Sequence, residues 1–143
     1  MTDALRKSGE RDTAGEALAR IAKGEVLLFD GGFGTEIYNR GVFINACYDE
    51  MNLTRPDLVR GIHADYVAAG ADLIETNTFG ANVPRLGKFG LAEKTAEIAR
   101  QGAVLARECA DAAKGRAPLV MGALGPLGLE IEPLGKASRR EVE

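Results

Sequence analysis

Asp30 closes a short apolar run, Val26-Leu27-Leu28-Phe29, and Gly31, Gly32, Phe33, Gly34 and Thr35 follow it directly. A run of this length bounded by glycines predicts a buried strand over Val26–Phe29, with Asp30 at its carboxyl end. In α/β folds, ligands bind at that end of the strands. Glycines let the backbone bend sharply and bring its N–H groups close to a ligand. An acid beside bare amides can hold both ends of an amino acid. The acid takes the ammonium and the amides take the carboxylate. Taken alone, the stretch is more simply a strand end with a glycine turn and a solvated acid, so the chemistry needs support from the rest of the chain.

That chain has 143 residues, enough for one domain or a piece of one. Apolar content of 45% and charged content of 27% are those of an ordinary soluble protein. A net charge of −3, a pI near 5.3 and scattered Lys and Arg argue against a nucleic-acid surface. No apolar run approaches the roughly 18 residues of a membrane helix. The first dozen residues are charged, unlike a signal peptide. Cys47 and Cys109 lie far apart and fit a reduced, cytoplasmic protein better than a disulfide scaffold.

The elements that must position Asp30 can be read in order. Residues 1–13 read as a mobile polar arm, and Ala14–Lys23 as a short helix ended by Gly24. Residues 1–24 thus precede a main unit of residues 25–143. Glu36–Asn39 starts a short helix, and residues 41–53 form an irregular loop folded over the strand ends. Thr54 is the expected N-cap of the next helix, with Pro56 and Asp57 in its first turn. Leu58, Ile62, Tyr66 and Ala69 mark its apolar face, and Gly70 stops it. Asp72–Thr78 reads as a second strand, Leu91–Ala113 as a long helix buried through Ile98, Leu105 and Ala106, and Leu119–Leu124 as a third strand. Strands at near-even spacing with a helix in each interval predict an α/β fold with parallel pairing and right-handed crossovers. Their glycine-rich or polar ends then gather at one face. Ser138-Arg139-Arg140-Glu141 has the spacing of a capping box, so a helix is expected to begin where the chain stops. Three parallel strands with open sides make a poor domain alone, which predicts a truncated piece of a larger barrel or sheet.

Other chemistries find less support. On an alternating strand Glu75 and Asn77 face one way and Thr76 and Thr78 the other. The Asn77 amide either orients a polar substrate or makes a buried structural hydrogen bond. His63, the lone histidine, falls mid-helix beside the polar face and reads as a satisfied surface residue. Cys47, Cys109 and His63 lack the paired spacing of a zinc site; Cys109 reads as a small core residue, and Cys47, in a loop, reads more simply as buried than as lining a site. No Ser–His–Asp set is legible. Gly32-Phe33-Gly34 is followed by Ile37 where a dinucleotide fingerprint needs glycine or alanine, and no Gly-Lys-Ser/Thr is present.

Four ordered motifs carry a resemblance. They are Asp30-Gly31-Gly32-Phe33-Gly34-Thr35, Asn52-Leu53-Thr54-Arg55-Pro56-Asp57, the segment from Gly70 to Asn82 containing Glu75-Thr76-Asn77-Thr78-Phe79, and Gly125-Pro126. Together, over about residues 26–128, they resemble the start of the homocysteine S-methyltransferase domain of methionine synthases, betaine–homocysteine methyltransferases and bifunctional methyltransferase/methylenetetrahydrofolate reductases. The resemblance implies a (β/α)₈ TIM-barrel type fold of which this chain is roughly the first three β/α units. It implies an enzyme of the EC 2.1.1 class that methylates the homocysteine thiol to give methionine. It implies a zinc ion that lowers the thiol pKa, with cysteine ligands in the second half of the barrel, beyond residue 143. Asp30 matches the acid that binds the substrate ammonium. Gly31, Gly32, Phe33, Gly34 and Thr35 match the turn whose amides face the carboxylate. Asn77 matches a strand-end position near the substrate. A piece of this length is expected to be inactive alone. The implied partners are homocysteine and a methyl donor, which is methyltetrahydrofolate, methylcobalamin, betaine or S-methylmethionine. The alternatives are an amino-acid-binding piece without chemistry, or another (β/α)₈ enzyme that shares this barrel start.

Overall fold

A computed structural model describes residues 14–138 and Arg140. The expected arm over residues 1–13 and the capping box, which needs Arg139 and Glu141, lie outside the described residues. The elements are α1 (Ala14–Ala22), α2 (Phe33–Asn39), α3 (Met51–Thr54), α4 (Pro56–Ala68), β1 (Leu73–Glu75), α5 (Val83–Gly87), α6 (Thr95–Asp111) and β2 (Leu119–Met121). A 3₁₀ turn over Ala92–Lys94 leads into α6.

The parallel arrangement is present. β1 and β2 pair in parallel with Leu73 opposite Leu119 and Glu75 opposite Met121. On the other side of β1, Phe29 makes a single parallel bridge to Leu73. The order is therefore the Phe29 segment, β1, β2. Asp72 ties the Phe29 segment to the start of β1, because its carboxylate accepts from the Leu28 N–H at 3.0 Å.

The strand expected over Val26–Phe29 needs correction. It is extended but not a buried strand: Val26 is 78% exposed and Phe29 54% exposed. Among the described residues nothing pairs with its outer side, so the apolar run has a neighbour on only one side. Leu18 and Ile21 of α1 are exposed too, and with Leu27, Phe29 and Met121 they line an open apolar cleft of about 510 Å³. The other two strands are shorter than expected. Past Glu75 the chain turns, with the Thr78 N–H donating to the Thr76 carbonyl at 2.8 Å.

Helices α4 and α6 pack against β1, and α6 also against β2. α6 buries Ile98, Gly102, Leu105, Ala106 and Ala110, the face expected from its periodicity. Ile74 of β1 packs against Ala106 and Ala110. Ile37 of α2, Met51 of α3, Val59 and Ile62 of α4 and Leu105 of α6 make the largest cluster. Gly24 ends α1 and Gly70 follows α4, both at positive φ, where a side chain is strained.

Helix α4 departs from the sequence expectation in two ways. Thr54 is not its N-cap. It closes α3, with its hydroxyl donating back to the Glu50 carbonyl at 3.2 Å. α4 starts at Pro56, which lacks the N–H that a first-turn residue would leave unbonded. The buried face is Val59, Ile62 and His63, whereas Ala69 is exposed. His63 is thus a core residue, not a surface one. α4 is covered by α2, α3 and α6 together, so its buried stripe is wider than the apolar residues alone mark.

No helix among the described residues is long and apolar enough to cross a membrane.

Candidate amino-acid site at the strand ends

A cleft of about 300 Å³ lies at the carboxyl ends of the strands. Asp30, Gly31, Gly32, Phe33, Gly34 and Asn77 all line it. Thr35 does not; it is exposed on α2. A larger cleft of about 960 Å³ sits at the opposite end, near Asp72 and Pro118 between α4 and α6. Size does not decide between them, because parallel strands present ligand-binding loops at their carboxyl ends.

Asp30 is half-buried, and its Oδ2 accepts from the Glu75 N–H at 2.9 Å. The first acid is thereby held against the end of β1. Burial pushes its carboxyl above the usual carboxylate range; the Glu75 amide opposes this and the Glu75 charge adds to it. Three acids, Asp30, Asp49 and Glu75, line this small cleft together with Arg85, and a bound cation beside Asp30 and Glu75 would relieve the repulsion between those two.

The glycine turn works differently from the expectation. None of Gly31, Gly32 and Gly34 has positive φ. Helix α2 begins at Phe33, three residues earlier than expected, with Gly32 as N-cap in extended conformation. Gly31 answers to space: a Cβ there would stand 2.9 Å from the Tyr66 hydroxyl. The first-turn amides of Phe33 and Gly34 have no intrahelical carbonyl to bond. Both residues line the cleft, a few residues from Asp30.

Asn77 is 8% exposed. Its Nδ2 donates to the Tyr48 carbonyl at 2.8 Å and to Asn52 Oδ1 at 3.0 Å. Thr76 and Thr78 are structural. Thr78 Oγ1 donates to the Ala123 carbonyl at 2.9 Å, and Thr76 Oγ1 accepts from the Ala123 N–H at 3.0 Å. They fasten the end of β1 to the segment after β2.

Among the lining residues that escaped sequence reasoning are Tyr48, Asp49 and Arg85. The first two lie in the loop expected to cover the strand ends, but nothing in its spacing singles them out. Asp49 Oδ1 accepts from the Gly80 N–H at 2.8 Å, and burial raises its pKa against the pull of that amide and of Arg85. The Arg85 guanidinium lies 5.7 Å from the centre of the Phe79 ring, a cation–π distance. Helix α5, which carries Arg85, is capped by Asn82, whose Oδ1 accepts from the Arg85 N–H at 3.0 Å. Asn82→Ala is expected to cost about 1 kcal/mol of stability. Denaturant titration checks this, and an unchanged midpoint would remove the cap from the account.

The described residues do not fit a zinc site. No group of three or more His, Cys, Asp and Glu could hold a metal ion. Cys47 packs against Leu86 and Ile98, and burial raises its thiol pKa. The Cys109 thiol also sits above its usual pKa through burial, and its Sγ contacts the Arg60 carbonyl at 3.6 Å.

Comparison with known proteins shows the family. The family model described as homocysteine S-methyltransferase matches residues 27–141. The chain belongs to the homocysteine S-methyltransferase family. It is 36% identical over 125 residues to methionine synthase of Mycobacterium leprae (strain TN), and 33% identical over 126 residues to that of Mycobacterium tuberculosis (strain ATCC 25618 / H37Rv). Each match covers 82% of this chain and 10% of the relative, so the chain spans about a tenth of those proteins. Among solved structures it is similar to the homocysteine methyltransferase MmuM from Escherichia coli. The metallated form matches with a TM-score of 0.66 at 29% identity, over 77% of this chain and 41% of that one. The oxidized form matches with a TM-score of 0.67 at 28% identity, over 78% and 41%. The parallel α/β arrangement is thus that of part of a homocysteine methyltransferase.

Proposed function

We propose that the protein carrying this chain transfers a methyl group to the thiol of homocysteine, and that this chain supplies the amino-acid end of the site. Residues 25–143 are read as the first three β/α units of a (β/α)₈ barrel, preceded by the arm and helix of residues 1–24. The reading rests on one observation: Asp30, Phe33 and Gly34 of the first helical turn, and Asn77 line the same small cleft in a chain of this family.

In this reading the homocysteine ammonium lies against Asp30, with the Glu75 charge nearby. The carboxylate lies against the amides of the turn. Fixing both ends aims the side chain, and so the sulfur, away from the turn into the mouth of the barrel. There a sulfur lone pair forms the new S–CH₃ bond while the donor–CH₃ bond breaks and its electron pair stays with the donor. The thiol proton is lost to solvent or to a base. None of the described thiols or imidazoles lines the cleft, so this chain recognises the amino acid, and groups elsewhere in the protein act on its sulfur. Zinc, if it activates the sulfur, takes its ligands from outside the described residues. Cys47 and Cys109 are free thiols, which suits the reducing cytoplasm.

The test uses the whole protein. Incubated with homocysteine and each of the four donors in turn, it should form methionine with at least one. In calorimetry, homocysteine should bind at least about tenfold more tightly than its N-acetyl derivative, which lacks the ammonium. No methionine from any donor, or equal affinity for the two ligands, would refute the proposal.

A further inference from the structure

We propose that Asn52 is a positioning residue for this site, acting through Asn77; the inference rests on the cleft being the homocysteine site. Asn52 lies on α3 and has no exposed surface. Its Nδ2 donates to the Asn77 carbonyl at 2.7 Å and to the Ile98 carbonyl at 3.1 Å. Its Oδ1 accepts from Asn77 Nδ2 at 3.0 Å. One buried amide therefore joins α3, the turn after β1 and the first part of α6.

The consequence for Asn77 is a fixed orientation. Both of its side-chain N–H bonds are taken, by Asn52 Oδ1 and the Tyr48 carbonyl. A flipped amide would set Oδ1 against two acceptors and take from Asn52 Oδ1 its donor, while the Tyr48 carbonyl keeps only the Met51 N–H. Asn77 therefore has only Oδ1 left to offer the cleft, and that atom is an acceptor. It joins the carboxylates of Asp30 and Glu75 in favouring a cationic group, so Asn77 belongs with the ammonium end and not with the carboxylate end.

Helix α6 is shaped around this arrangement. A Cβ on Gly102 would stand 2.7 Å from Asn52 Nδ2 and 2.7 Å from Thr78 Cγ2. Glycine is a poor helix residue, yet any larger residue at this position would displace the Asn52 amide. The motif Asn52–Asp57 thus contributes to the site without touching a ligand: it orients the residue that does.

The test is a double-mutant cycle in the whole protein, reading homocysteine affinity by calorimetry and Tm separately. Asn52→Ala should weaken homocysteine binding about tenfold. In an Asn77→Ala background the same change should add no further loss of affinity while still lowering Tm. Gly102→Ala should also weaken binding, although alanine favours the helix, and it serves as the second variant should Asn52→Ala fail to fold. In ¹⁵N NMR, the Asn77 side-chain N–H pair should exchange slowly in the wild type and rapidly in Asn52→Ala. Unchanged affinity with a lowered Tm would overturn the proposal, and so would equal losses in both backgrounds or a rapidly exchanging wild-type Asn77. A wild-type protein with protected Asn77 N–H groups that binds no homocysteine would overturn the proposed function, and with it the role given to Asn52, while leaving the clamp itself in place.

Discussion

Asp30→Asn is expected to weaken homocysteine binding by about 1.5–3 kcal/mol, the range for a hydrogen bond to a charged group. Tm should scarcely change. Asparagine keeps an oxygen that can accept from the Glu75 N–H, which now bonds Asp30 Oδ2 at 2.9 Å. It removes only the charge. In the folded chain without ligand that charge is unfavourable, because burial already raises the Asp30 pKa above 3.8. Asp30→Ala should lose the same affinity and also the bond to Glu75, so Tm should fall in that variant alone. The same shift sets a pH dependence. An ammonium is held by the ionised acid, so affinity should fall as the solution is acidified through the raised pKa, starting at higher pH than for an ordinary aspartate. Calorimetry at several pH values measures both effects. If Asp30→Asn bound homocysteine as tightly as the wild type, the ammonium could not lie against Asp30.

Acid should destabilise the fold through His63. Its side chain is fully buried, and neither ring nitrogen has a hydrogen-bond partner among the described residues. Its ring lies 4.8 Å from the Phe33 ring, centre to centre. Burial lowers its pKa from 6.5 to about 4. The sign follows from linkage. The unfolded chain takes up a proton near pH 6.5, whereas the folded chain resists it down to about pH 4. Stability contributed by neutral His63 is therefore complete above pH 6.5 and is lost as the pH falls towards 4. Over that window the loss approaches about 3 kcal/mol. Asp30 and Asp49, whose pKa values are raised, act in the opposite sense as the pH falls through those raised values, since protonation relieves their burial. His63→Leu isolates the histidine: the difference between wild-type and variant stability should change across pH 6.5 to 4 and level off above it. A flat difference would mean that the imidazole reaches water or a partner in solution. Phe33 lines the cleft and touches His63, so the same protonation is expected to disturb the turn after Asp30 before the whole fold opens.

By itself the sequence determined the elements whose signals are short-ranged. The periodicity of α6 marks its buried face, Pro56 marks the start of α4, and Gly24 and Gly70 mark helix ends, all because the physics involved spans one or two turns. The parallel order of the strands followed from their spacing. Asp30, Gly31, Gly32, Phe33 and Gly34 stood out because they close and follow an apolar run, and Asn77 through the family resemblance; parallel strands bring such ends to one side, so all six line one cleft. Tertiary structure alone decided the rest. Val26–Phe29 reads as buried, yet its exposure depends on what lies beside it, which no local pattern records. His63 looked polar and superficial because a lone histidine carries no sign of how many helices will cover it. Thr54 fits an N-cap by type but lies on the preceding helix. The Asn52–Asn77 clamp joins residues 25 positions apart, and the Asp30–Glu75 bond joins residues 45 apart. Contacts over such separations are set by how the helices pack on the strands, and only the folded chain brings their partners within hydrogen-bonding distance.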